Sequence, residues 1–266
     1  MCYHIIISIL AKENNMEFGL NLYSIRTEVD TPEKFLATAQ KLKDMGYSFL
    51  QCSGCPYDVE LYKKMTELTG MPVVLTHVGM NRIIDETDAL MAEHEAFGCR
   101  SIGLGAMPGD CLKEDDAVVE AVAKLNVAAQ RMQDKGFAFF YHNHNFEFRR
   151  MADGRTIMEY MIDEAPAINF TFDTYWAQVG GVSILEYVRK LAGRIKCVHL
   201  KDYEITKSLG YRIAPVGNGN INFHDVIPAM IQSGAEYFLV EQDNAPDFDD
   251  TLGQVKQSID YLKKNF

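Results

Sequence analysis

Between Phe137 and Phe148 the chain reads FAFFYHNHNFEF, an apolar aromatic run that turns abruptly into two histidines, two asparagines and a glutamate. Imidazoles and carboxylates are the side chains that hold divalent cations and carry protons near neutral pH. Three more of them close short apolar runs: Asp173 after TF, His199 after CV and Glu241 after FLV. Gathered on one rim with His142 or His144, they would offer one or two imidazoles and two carboxylates. Such a set can bind a metal and leave a position for a substrate oxygen, or serve directly in acid/base chemistry. A single buried His or Asp is more often there to hydrogen-bond another polar group. Four at corresponding places in the chain point to a site.

For these residues to meet, each must end a strand of a parallel sheet, because the C-terminal ends of such strands converge on one rim. The sequence supplies the strands. Leu20 to Ile25 reads as the first, followed by a helix that Thr31 caps, Pro32 opens and Gly46 ends. Further strands are expected at 47–51, 71–76, 101–104, from 137, at 168–172, 195–200 and 237–241. Helices are expected at 56–69, up to 97, at 113–135, 155–164, from Ser183, at 223–234 and 251–263. Residues 203–222, with Gly210 and GNGN, form a long connection suited to a functional loop. Eight alternations predict an α/β fold, a closed (β/α)8 TIM barrel spanning 17–266, with an open doubly wound sheet as the alternative. No G-x-G-x-x-G follows the first strand, so the dinucleotide fingerprint is missing. Residues 1–16 are expected to be an extension, either disordered or packed on the barrel edge. Strand periodicity puts His142 and His144 on one face, and Glu147 lies beyond the strand end.

Composition narrows the partners. The 266 residues carry 26 Lys and Arg against 37 Asp and Glu, and a net charge of −11 repels a phosphate backbone, so nucleic acid is not expected. No apolar run approaches the roughly 20 residues a membrane helix needs. Six scattered cysteines in a large chain imply reduced thiols and a cytoplasmic setting. Cys52-Ser-Gly-Cys55 has no second C-x-x-C and no thioredoxin-like pattern around it, and reads as a pair of reduced loop thiols. His94 and His224, on expected helices, read as packing or surface residues, and Trp176, the only tryptophan, as an apolar wall.

The segments YHNHNFEF at 141–148, FDTYW at 172–176, VHLKD at 198–202, VGNGNINF at 216–223 and VEQD at 240–243, with THVG at 76–79, occur in the order of a known family. The chain resembles the sugar phosphate isomerase/epimerases with a xylose isomerase-like TIM barrel. That resemblance implies a manganese, magnesium, cobalt or zinc ion held by Glu, Asp, His and Glu on four strands. Asp173, His199 and Glu241 match the last three positions. At the first the chain departs from the family, with His142 at the strand end and Glu147 as the competing ligand, so the family's pairing of two glutamates as opposed acid/base groups does not carry over directly. Glu241 is the expected base, with His142, His144 or Glu147 acting from the other face. Lys201 and His77 resemble substrate contacts, and His144 is placed against the substrate or behind the metal ligands. Asn218 stands where relatives often have an acidic residue. The implied activity is isomerisation or epimerisation of a sugar or keto-sugar through an enediolate. The alternatives are a dehydratase or lyase on a keto-sugar or inositol derivative, a non-catalytic sugar-binding protein, and an abasic-site nuclease, which the acidic balance disfavours. A homo-oligomer is compatible with all of these.

Overall fold

The structure, a computed structural model, describes residues 16–266. The segment expected to extend from the barrel therefore lies outside the described residues, apart from Met16. Eight parallel strands close into a barrel: β1 (Phe18–Asn21), β2 (Phe49–Cys52), β3 (Val73–His77), β4 (Ser101–Leu104), β5 (Ala138–His142), β6 (Asn169–Asp173), β7 (Cys197–Leu200) and, as the last barrel strand, β10 (Tyr237–Val240). Each pairs with its neighbour in chain order, and β10 returns to β1. Between β7 and β10 the antiparallel hairpin β8 (Asp202–Ile205) and β9 (Tyr211–Ala214) stands apart from the barrel.

Period-two alternation divides each strand between two environments. Phe139 and Tyr141, Phe170 and Phe172, Val198 and Leu200, and Phe238 and Val240 belong to the main core. Phe49, Val74, Leu75, Phe140, Cys197 and Leu239 form a second, smaller cluster, with β3 giving it two adjacent residues. One strand repeat beyond members of that cluster come Gln51, His142, His199 and Glu241, so an apolar plug carries a polar ring on its C-terminal side. Gly19 belongs to this construction, because a Cβ there would overlap the Phe49 ring.

The surrounding elements follow local rules. Thr31 caps the helix Pro32–Met45 and Gly46 ends it in the left-handed region at φ 101°. Thr156 and Glu159 form a reciprocal capping box. Four expectations are corrected. The first strand stops at Asn21, and Leu22–Glu28 is a 3-10 segment that Asn21 itself caps. The helix expected to reach Phe97 is two, Met80–Asp85 and Thr87–Ala96. A helix at Thr174–Val179, capped by Asp173, intervenes before the one beginning at Ile184. The connection after β7 holds the hairpin, tied down by Asp202, whose carboxylate accepts the backbone N–H groups of Tyr203, Gly217, Gly219 and Ile221 at 2.8–3.1 Å. His94 is a packing residue, bound to Thr76 Oγ1 at 2.7 Å and the Leu90 carbonyl at 2.8 Å, and His224 is exposed. Among the described residues no helix is long and apolar enough to cross a membrane.

Candidate metal centre

His142, Asp173, His199 and Glu241 each bring one ligand atom into a group whose members all lie within 4.8 Å of one another, and all four residues are buried. Strand register sets this up. Asp173 is paired with His199 across β6 and β7, and His199 with Leu239 two residues before Glu241. His142 Nε2 is 3.4 Å from Asp173 Oδ2 and 3.8 Å from Glu241 Oε2, while His199 Nδ1 is 3.8 Å and 2.9 Å from the same two atoms. Ligands about 2.0–2.2 Å from a shared ion stand about 3.0–3.5 Å apart, so little motion separates this arrangement from a coordination sphere.

Each of the four is tethered by its other polar atom. His142 Nδ1 is 3.0 Å from the Gly105 carbonyl and His199 Nε2 is 2.7 Å from Gln51 Oε1. Carbonyl oxygens only accept, so both bonds fix the proton on the outer nitrogen and turn a lone pair inward. Asp173 Oδ1 accepts from the Trp176 N–H at 2.9 Å, and Glu241 Oε1 accepts from Asn21 Nδ2 at 2.6 Å.

Two observations show that the site fits a divalent cation. His199 Nδ1, fully buried, makes no hydrogen bond despite its closeness to Glu241. Carboxylates also crowd the site: Asp173, Glu241 and Asp243 all stand within 4 Å of the single Lys201 ammonium. Lys201 is 1% exposed and bonds Asp243 Oδ2 at 2.7 Å and Glu241 Oε2 at 3.2 Å. Burial opposes its charge, but the three carboxylates outweigh that and raise it above the ordinary lysine range. Burial would raise Asp173 and Glu241, yet Lys201 and the neighbouring histidines hold both below the usual carboxylate range. Burial would lower His199, but Glu241 and Asp173 raise it to about 9, so a proton competes with a cation for this position.

A cavity of about 260 Å³ opens above the cluster, lined by His142, Glu241, Lys201, His77, His144 and Asp243 among others. The expected substrate contacts His77, His144 and Lys201 thus face the same space. His77 Nε2 is 3.0 Å from Gln51 Nε2 and its Nδ1 3.4 Å from Ser53 Oγ. Burial, then the nearby His142 and His199, keep it neutral, and burial beside His142 lowers His144 to about 3. Trp176 lies beside His144, with ring centroids 5.2 Å apart, and under the Lys201 ammonium.

Glu147 is placed elsewhere. It is not in the converging group, and both its oxygens are engaged, by Tyr141 Oη at 2.6 Å and the His144 N–H at 2.7 Å. Its carboxylate pins the loop after β5, whereas His142, its rival for the first ligand position, stands in the converging group. Asn218 bonds Gln257 on the closing helix and is not among the residues lining the cavity. Sequence reasoning missed Asn21, Gln51 and Asp243. Asn21 ends β1 and Gln51 lies one residue before the end of β2.

The family profile described as xylose isomerase-like TIM barrel matches residues 39–265. An inosose dehydratase of Clostridium perfringens is 24% identical over 248 residues, covering 79% of this chain and 82% of that protein. Two solved structures from Parabacteroides distasonis, each described as a sugar phosphate isomerase/epimerase, are also similar. One has a TM-score of 0.78 at 28% identity, covering 94% of this chain and 98% of the other; the second has a TM-score of 0.80 at 20% identity, covering 94% of each.

Proposed function

The chain belongs to the xylose isomerase-like TIM barrel family, and from that premise we propose that it is a divalent-metal-dependent isomerase or epimerase of a sugar or keto-sugar, working by proton transfer next to a carbonyl. The observation that carries this reading is the double use of each donor's polar atoms, outward to a tether and inward to a common point. His142, Asp173, His199 and Glu241 would hold manganese, magnesium, cobalt or zinc. Such an ion, when bound, polarises a substrate's carbonyl and hydroxyl oxygens and so acidifies the neighbouring C–H.

The protein's own groups supply the rest. Glu241, kept ionised by Lys201 and His199, is the proton acceptor, and Asn21 fixes its plane through Oε1. Lys201, steadied by Asp243, presents a permanent positive charge to a substrate oxygen on which negative charge develops. His77 and His144, both neutral, hydrogen-bond hydroxyls, and Trp176 offers a ring face to the carbon skeleton.

Dehydration is the second reading, supported by His142. With an imidazole at the end of β5 the site has no carboxylate facing Glu241 from the fifth strand, and elimination from a single proton abstraction needs only one such base. The similarity to an inosose dehydratase points the same way. The test loads the protein with Mn²⁺ and offers ketopentoses, ketohexoses and inososes in deuterated water. Deuterium in recovered or rearranged sugar supports isomerisation or epimerisation, and loss of water with an unsaturated or dicarbonyl product supports dehydration. Absence of both across the panel would remove the enzymatic reading. Glu241→Gln is expected to lower exchange by about 10²–10⁴-fold while the fold persists.

A further inference from the structure

His77 ends β3 in a cradle that two glycines leave for its ring. Its register partner on β4 is Gly103, where a Cβ would lie 2.9 Å from His77 Cδ2, and a Cβ on Gly105 would lie 3.1 Å from its Nδ1. Ser53, whose Oγ is 3.4 Å from the same Nδ1, and Gly105 both line the cavity with His77. The Nδ1 side of the imidazole therefore lies between two other residues of the cavity wall.

Gln51 decides which of the two ring nitrogens carries the proton. Its side chain is fully buried, and each end of the amide meets an imidazole: Oε1 is 2.7 Å from His199 Nε2, and Nε2 is 3.0 Å from His77 Nε2. An ion held by His199 Nδ1 takes a lone pair there, so His199 carries its proton on Nε2 and meets the amide oxygen. The other end of Gln51 is then the NH₂ group, which only donates. His77 Nε2 must accept, which leaves the proton of a neutral ring on Nδ1. Turning the amide over would reverse both rings together and aim a proton at the ion. Within the chain the partner of this Nδ1–H is Ser53 Oγ, at 3.4 Å a long bond beside the ordinary value of about 2.9 Å. A substrate oxygen can readily take its place.

We propose that His77 is a catalytic residue: its Nδ1–H, set by the ion site through Gln51, leaves Ser53 and donates to the substrate carbonyl oxygen, which gains negative charge as Glu241 takes the proton. The proposal rests on the metal-dependent proton transfer argued above. A developing oxyanion takes more than one donor, so this N–H adds to the positive charge of Lys201. A neutral imidazole suits the task, because its bond to the oxygen strengthens as charge grows without the proton being given up.

The test has two arms. Long-range ¹H–¹⁵N correlation spectra of histidine-labelled protein with diamagnetic Zn²⁺ give the tautomer of His77, assigned by the signals lost in His77→Phe. A proton on Nδ1 alone is expected. A proton on Nε2, or on both nitrogens, overturns the proposal, and signals of His142 and His199 that do not respond to Zn²⁺ refute the metal reading together with the proton assignment drawn from it. The second arm measures deuterium exchange on the sugar panel with Mn²⁺. His77→Phe keeps a ring of similar size without an N–H, and is expected to lower kcat by about 10²–10³-fold with KM little changed. His77→Asn, which returns an N–H donor near the Nδ1 position, is expected to recover a large part of that loss. A raised KM at unchanged kcat makes His77 a binding residue only, and equal losses in the Asn and Phe variants assign the effect to ring packing; either result overturns the catalytic role. No exchange by the parent chain refutes the enzymatic reading and the catalytic role with it, while the tautomer still decides whether Gln51 fixes the proton.

Discussion

Gln51 determines which nitrogen His199 offers to the centre of the site, through one 2.7 Å bond to its side-chain oxygen. Replacing it by Leu keeps the bulk but removes that acceptor, freeing the imidazole to rotate or change tautomer. Mn²⁺ affinity in Gln51→Leu is expected to fall by about 10–100-fold, measured by calorimetry. A second residue-level prediction concerns Glu147, fully buried and raised by that burial to about 7 against the two hydrogen bonds it accepts. A carboxyl whose folded value exceeds its unfolded one, about 4.5, contributes stability below pH 4.5 that is lost as pH rises to about 7. The change is on the order of 3 kcal/mol. Denaturant titrations of Glu147→Gln between those pH values are expected to be flatter than those of the parent chain; parallel curves would put the titration elsewhere. The charged candidates could be found in the sequence because a His, Asp or Glu after an apolar run is conspicuous. Asn21 and Gln51 are neutral amides of no unusual composition, and their importance comes only from which charged atom lies opposite.

At the scale of elements, the repeating strand and helix pattern was readable because apolar runs, caps and turn residues recur eight times with little interruption. The hairpin was not. β8 and β9 have four residues each, and Ile205 and Tyr211 are exposed, so no buried face gives them a periodic signature. What orders their base is Asp202, whose four backbone partners come from residues up to 19 positions away. Asp202→Asn leaves one oxygen and turns an amide N–H₂ toward N–H groups that need acceptors. A stability loss of about 1.5–3 kcal/mol is expected, with faster amide exchange at Gly217 and Gly219 than in the barrel strands. Exchange unchanged at those two glycines would mean the loop is held by its other contacts.

For the molecule as a whole, holding the buried carboxylates of Asp173 and Glu241 close together is a cost that folding carries without a counter-ion. A cation that binds only the folded state offsets it. Mn²⁺ at about 100 times its dissociation constant should add about 2.7 kcal/mol, or roughly 5–10 °C in the unfolding midpoint. Calorimetric melts with and without a chelator measure this, and Asp173→Asn is expected to lose most of the shift.

The bond from Asn21 to Glu241 joins residues 220 apart, across the seam where β1 meets β10. Seen from the ribosome, that seam is a matter of time. Synthesis at about 5–20 residues per second delivers Asn21 well before Glu241, which follows 220 residues later. His142, Asp173 and His199 must wait with their inward atoms unshared, and three donors around an open edge do not make the finished site. Capture of the ion therefore reports the last act of folding: in refolding from denaturant, recovery of Mn²⁺ binding should trail the return of helical circular dichroism.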